Sequence, residues 1–202
     1  MFDQKLFQKI ITCQCSLKEL EAFGEHIDQM EFDTENAFVK YYHLNHILHG
    51  IHRYQNKTIS QTYLTHWANA YHWIVMGGFK EPDDAKEPLS LKILVKWMIS
   101  DWLDSLSFFD KKYCDTDDYI RNFCRLDLLY QSAEQWRTVY ARTDPEIIDI
   151  CCLLINDTTK KYDSFDINGF LNAGDKIDAT LCNKQEWDQL KKQLIQNGYT
   201  EL

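Results

Sequence analysis

Between Thr58 and Gly77 the apolar residues recur at steps of three and four: Leu64, Trp67, Ala68, Tyr71, Ile74 and Val75. At about 100° per residue they fall on one stripe, the signature of an amphipathic helix with one face turned to a core. Thr62, His66, Asn69 and Trp73 fall on the other side. Thr58-Ile59-Ser60-Gln61 has capping-box spacing at the start. Gly77-Gly78 closes the run, glycine being the residue that takes a left-handed position past a helix end without cost. A helix predicted from about Thr34 to about Gln55 precedes it. There Leu44, Ile47, Leu48 and Ile51 share an arc, with Tyr41 at its edge. His43, His46 and His49 lie roughly opposite, and His52 at the margin. The expectation is an antiparallel helix pair with apolar inner faces and polar, histidine-rich outer faces.

The same periodicity extends through most of the chain. Residues 2–12 carry Phe2, Leu6, Phe7 and Ile10 on one side, and Ser16-Leu17-Lys18-Glu19 opens a helix to about Ile27 with a second capping box. Pro88 is placed to open the helix that carries Leu91, Leu94, Val95, Met98, Trp102 and Leu106 on one face, widened by Ile93, Trp97 and Ile99. So broad an apolar surface predicts a central helix with several neighbours. Asp115-Thr116-Asp117-Asp118 puts negative charge at the start of the next helix, predicted to run to about Tyr140. Thr143-Asp144-Pro145-Glu146 reads as another helix start, leading into Ile147, Ile148, Cys151, Leu154 and Ile155. A buried strand is the alternative for Ile147–Ile155, since period alone does not separate a short apolar run into helix or strand. Asn183-Lys184-Gln185-Glu186 caps a last helix with Trp187, Leu190 and Leu194, closed by Gly198. The fold expected is all-α: a single helical domain over 1–202, a bundle of about seven to eight helices, with room for a short irregular or β element between 145 and 182.

Composition agrees with a helical globular chain. Only 7 glycines and 3 prolines occur in 202 residues, few for a protein built on many turns, and 45% of residues are hydrophobic. The net charge of −9 argues against nucleic acid, whose phosphates demand a basic face. Residues 36–80 contain no Asp or Glu in a chain with 31 of them, yet hold six of the seven histidines. The acids gather instead in a proline-bounded loop, Glu81-Pro82-Asp83-Asp84-Ala85-Lys86-Glu87-Pro88, and at 115–118. Seven cysteines, an odd number with no Cys-x-x-Cys pair, suit a reducing compartment. With no basic leader followed by an apolar run, and no uncharged apolar stretch of about 20 residues, the location expected is cytoplasmic, with no membrane span.

Catalytic signatures are missing from the sequence. There is no P-loop, no nucleophile elbow and no Rossmann glycine pattern. His43, His46, His49 and His52 are spaced by threes alone, so successive imidazoles drift about 60° backwards round a helix and do not converge on one ion. Asp83-Asp84-x-x-Glu87 is similar to the magnesium motif of terpene synthases, but sits between prolines with no partner motif. Neither a cofactor nor a metal is expected.

The stretch Ile59-Ser60, Leu64, Trp67-Ala68-Asn69-Ala70-Tyr71 and Trp73-Ile74 resembles a pattern in small bacterial immunity proteins of polymorphic-toxin and contact-dependent inhibition systems. The resemblance covers about a tenth of the chain. It implies a cytosolic binding protein that occludes one cognate toxin, a protein partner of basic character, by shape and charge complementarity and without a reactive pocket. The partner-binding residues expected are then Glu81, Asp83, Asp84, Glu87, Asp115, Asp117 and Asp118. The alternative is a histidine-rich helical metal-binding protein or a metal-dependent enzyme.

Overall fold

The computed structural model describes residues 4–27, 32, 37–77, 90–144, 149–167 and 181–202. Among these are eight α-helices and a five-stranded sheet: α1 (Gln4–Ile11), α2 (Leu17–Glu25), α3 (Ala37–Tyr41), α4 (Leu44–Gln55), α5 (Gln61–Val75), α6 (Leu91–Ser107), α7 (Thr116–Gln131), β1 (Arg137–Asp144), β2 (Asp149–Asn156), β3 (Lys161–Asp166), β4 (Leu181–Asn183), α8 (Lys184–Gln196) and β5 (Thr200–Glu201). The all-α expectation is therefore overturned. The chain divides into two compact units, Met1–Asp83 with Met98–Asp127, and Asp84–Trp97 with Leu128–Leu202.

In the first unit α5 is central. Leu64, Trp67, Ala68, Tyr71, Ile74 and Val75 are all buried, as their spacing demands. Trp67 stacks on Tyr71 at 5.3 Å and donates its indole N–H to the Ile10 carbonyl at 2.7 Å. Gly50 of α4 lies against that indole so closely that a Cβ would sit 2.5 Å from it. The start of α5 differs from expectation. Ser60 is the N-cap, accepting from the Tyr63 N–H at 3.1 Å. The Thr58 hydroxyl instead donates back to the Arg53 carbonyl at 2.9 Å, so no Thr58–Gln61 box forms. The end is as read: Gly77 has φ 66°, left-handed, one residue past Met76.

The helix expected from Thr34 to Gln55 is, from Ala37 on, two helices with a break at Tyr42-His43, and residues 34–36 lie outside the described residues. His43 is extended (φ −152°, ψ 122°), and its Nδ1 accepts from the Asn45 N–H at 3.3 Å to cap α4. The break is held from outside the segment. The Tyr71 hydroxyl accepts from the His43 N–H at 3.0 Å and donates to the Tyr41 carbonyl at 3.1 Å. Periodicity along residues 34–55 carries no trace of that contact, which comes from α5.

The second unit holds the sheet, in the order β4-β1-β2-β3-β5. β1 and β3 each run antiparallel to the central β2, and the short edge strands pair in parallel, β4 with β1 and β5 with β3. The long helix expected to reach Tyr140 stops at Gln131. A 3-10 turn, Ala133–Gln135, follows, and then Thr138, Val139 and Tyr140 take the extended form that suits β-branched and aromatic side chains. The helix start read at Thr143–Glu146 is overturned as well: Thr143 and Asp144 end β1, and residues 145–148 lie outside the described residues. Cys152, Leu153, Leu154 and Ile155 are buried in succession because β2 is the central strand and both its faces are covered. On one face Leu153, Ile155 and Tyr162 join Trp187 and Leu194 of α8 and Tyr199 in a single apolar cluster. The capping box of α8 is present as read: Asn183 Oδ1 accepts from the Glu186 N–H at 3.0 Å, and Glu186 accepts in return from the Asn183 N–H at 2.9 Å. Among the described residues no helix is long and apolar enough to cross a membrane.

Candidate protein-interaction site

The connection from α6 to α7, within the first unit, turns two large aromatic side chains outward. Phe108 and Phe109 leave α6 side by side, and adjacent residues in a turn point different ways. Phe109 goes inward. It is buried, meets Tyr54 edge-on at 5.3 Å and Tyr119 at 5.9 Å, and its carbonyl accepts from Gln61 Nε2 at 3.1 Å. Phe108 is consequently driven out, 78% exposed. Asp110 then organises the turn: its Oδ1 accepts from the Lys112 N–H at 2.9 Å, and its carbonyl accepts from the N–H groups of Tyr113 and Cys114, both at 2.9 Å. The result presents Tyr113, 75% exposed, with Lys112 Nζ 5.0 Å from its ring centroid.

Three of the acids expected to bind a partner stand at this corner. Asp115 Oδ1 accepts from the Asp117 N–H at 3.0 Å and caps α7. Asp117 Oδ1 accepts from Gln55 Nε2 at 2.9 Å, and the same amide reaches Thr116 Oγ1 at 3.1 Å. Asp118 pairs with Arg121 one turn on, at 2.9 Å. All three are exposed. Carboxylates in the first turn also complement the helix dipole, so their placement has a local stabilising reason of its own. Glu81, Asp83, Asp84 and Glu87 lie outside the described residues.

The histidines spread out. His43 caps α4, His49, His52 and His66 are exposed, and His43 and His46 approach each other, with ring centroids 5.2 Å apart. Among the described residues no three His, Cys, Asp or Glu side chains are grouped so as to hold a metal ion. Partial burial and the neighbouring His43 and His49 hold His46 below the ordinary imidazole pKa.

His72, not singled out by periodicity, is the buried histidine, 1% exposed on α5. Its Nε2 lies 2.8 Å from Ser100 Oγ and its Nδ1 3.8 Å from Asp104 Oδ1, both on α6. Burial pushes its pKa down to about 4, so at neutral pH the ring is uncharged and the 3.8 Å approach to Asp104 is no ion pair. A serine, a histidine and an aspartate in this arrangement have the composition of a hydrolase triad, yet Ser100 sits in mid-helix, where the backbone N–H groups beside it are engaged along α6. The arrangement serves as a polar clasp between α5 and α6.

No protein-family model, curated protein or solved structure matches the chain.

Proposed function

We propose that this chain is a protein-binding inhibitor of the immunity type, which occludes a cognate toxin through the α6–α7 corner. The observation that carries the reading is the pair Phe108 and Tyr113, held out from a pinned turn beside Asp115, Asp117 and Asp118. Large aromatics supply most of the binding energy at protein interfaces when a partner desolvates them. A rim of carboxylates steers a basic partner and sets the rate of association. Phe109, Tyr119, Gln61 and Gln55 hold the turn rigid before any partner arrives, which lowers the ordering cost of association. The acid-rich segment 81–87 belongs to the same reading by its charge.

The test is a growth assay with the polypeptide encoded directly upstream of this gene. Its C-terminal domain is expected to arrest growth, and the present chain to restore it. The double variant Phe108→Ala/Tyr113→Ala is expected to lose the rescue while keeping the wild-type circular dichroism spectrum and melting temperature. An upstream product without toxicity, or rescue undiminished in the folded double variant, refutes the assignment.

A further inference from the structure

Independently of that reading, the turn between α1 and α2 carries a second site. Cys13 and Cys15 are both buried, both free, and both directed at the same phenol. Cys13 Sγ lies 4.0 Å and Cys15 Sγ 3.4 Å from Tyr63 Oη, while that hydroxyl donates to the Cys15 carbonyl at 2.7 Å. Cys13 adopts φ 55°, a left-handed conformation that side chains other than glycine rarely take. Arg53 closes the arrangement. Its guanidinium donates to the Cys13 carbonyl, approaches Cys13 Sγ at 3.7 Å, and lies over the Tyr63 ring at 5.7 Å.

We propose that Cys13 and Cys15 form a two-coordinate site for a soft monovalent cation, copper(I) being the physiological candidate. Soft thiolates are the ligands such an ion selects, and the α1–α2 turn directs two of them to one place. Loading removes one proton from each thiol, so two protons leave for each ion bound. The dithiolate–copper unit then carries one net negative charge. In a buried place that charge requires a partner, and the Arg53 guanidinium beside Cys13 provides it. The other cysteines offer no equivalent. Cys151 and Cys152 alternate across β2, Cys182 Sγ donates to the Tyr140 carbonyl, and Cys114 and Cys124 are exposed on α7 and the turn before it.

The experiment starts from a parent with Cys114→Ser and Cys124→Ser, which removes the exposed thiols. Under anaerobic conditions the parent is titrated with copper(I) against a chromogenic chelator. One equivalent is expected to bind with a thiolate-to-copper ultraviolet band, and X-ray absorption at the copper edge to show two sulfur neighbours and no nitrogen. Cys15→Ser is expected to abolish the band. Arg53→Met should weaken binding roughly tenfold to a hundredfold, as removal of a supporting partner does, and Arg53→Lys should restore most of it. A parent that cannot compete with the chelator, a copper edge with nitrogen ligands, or a folded Cys15→Ser that binds as tightly as the parent each overturns the proposal. If Cys15→Ser fails to fold, the absorption spectrum of the parent alone decides.

Discussion

At the scale of single residues, the first unit concentrates its sensitivity in a few side chains of α5. Trp67 is wholly buried, with its ring on Tyr71 and its N–H engaged, so Trp67→Ala should cost about 3–5 kcal/mol in urea unfolding. Trp73 and Trp102 are only half-buried, against Phe32 and against Tyr119 and Phe123, and their truncations should cost clearly less. For Trp102 this corrects its placement by periodicity on the core face of α6. Gly50→Ala tests the same packing from the opposite side. The new methyl would raise helix propensity by about 1 kcal/mol. It would also collide with the Trp67 ring, and overpacking of about 1–3 kcal/mol should make the variant net destabilised. His72 sets a pH dependence. Its folded pKa of about 4 lies below the unfolded imidazole value of about 6.5. Between those values the unfolded chain binds more protons, so the stability tied to neutral His72 is complete above about pH 6.5 and falls as the pH drops towards 4. His46, depressed in the same direction, adds to the slope. In His72→Gln the unfolding midpoint should change less between pH 6.5 and pH 4; equal slopes in the two proteins would show that the clasp is not the titrating element.

At the scale of elements, caps and breaks decide boundaries that hydrophobic spacing leaves vague. Both Ser16 and Asn183 form reciprocal boxes with the glutamate three residues on, as their spacing announces. At α5 two hydroxyls two residues apart compete, and the one that caps is Ser60. Ser60→Ala is therefore expected to cost about 1 kcal/mol. Thr58→Ala loses only an exposed hydrogen bond to Arg53 and should cost about half of that or less. The reverse ranking in thermal unfolding would restore the Thr58–Gln61 box. In the second unit the apolar run through Cys151–Ile155 reads from its spacing as a helix, with a buried strand as the alternative, and it is a strand. Pairing settles it: β2 exchanges hydrogen bonds with β1 on one side and β3 on the other, the strands that flank it along the chain, and the spacing within β2 alone does not report either partner. The turn at 157–160 is closed by Asn156, whose Oδ1 accepts from the N–H groups of Thr158 and Thr159, with Lys160 at φ 55°. The C-terminus ties to the same turn, since Tyr199 donates to Asp157 at 2.6 Å.

At the scale of the whole molecule, the exposed aromatics and the acids of the α6–α7 corner separate binding from stability. Phe108 and Tyr113 make little of the core, so their replacement by Ala should change unfolding free energy by no more than about 0.5 kcal/mol. Reversing charge at Asp83, Asp84, Asp117 and Asp118 should slow association with the proposed toxin partner and flatten its salt dependence in stopped-flow measurements; unaltered rates would remove the acids from the proposed interface. The chain alone determined the local events: the stripe of α5, the boxes at Ser16 and Asn183, the left-handed Gly77, and the acidic start of α7. Each depends on residues within a few positions of one another, where spacing and side-chain chemistry suffice. Tertiary structure decided the rest. The break at His43 requires the Tyr71 hydroxyl, 28 residues away. The strands after Gln131 require one another, and the outward turn of Phe108 follows from the inward turn of Phe109 against Tyr54 and Tyr119. The gathering of Cys13, Cys15, Arg53 and Tyr63 spans four elements' worth of chain. Such contacts join positions far apart in sequence, and no local period encodes which distant partner will be there.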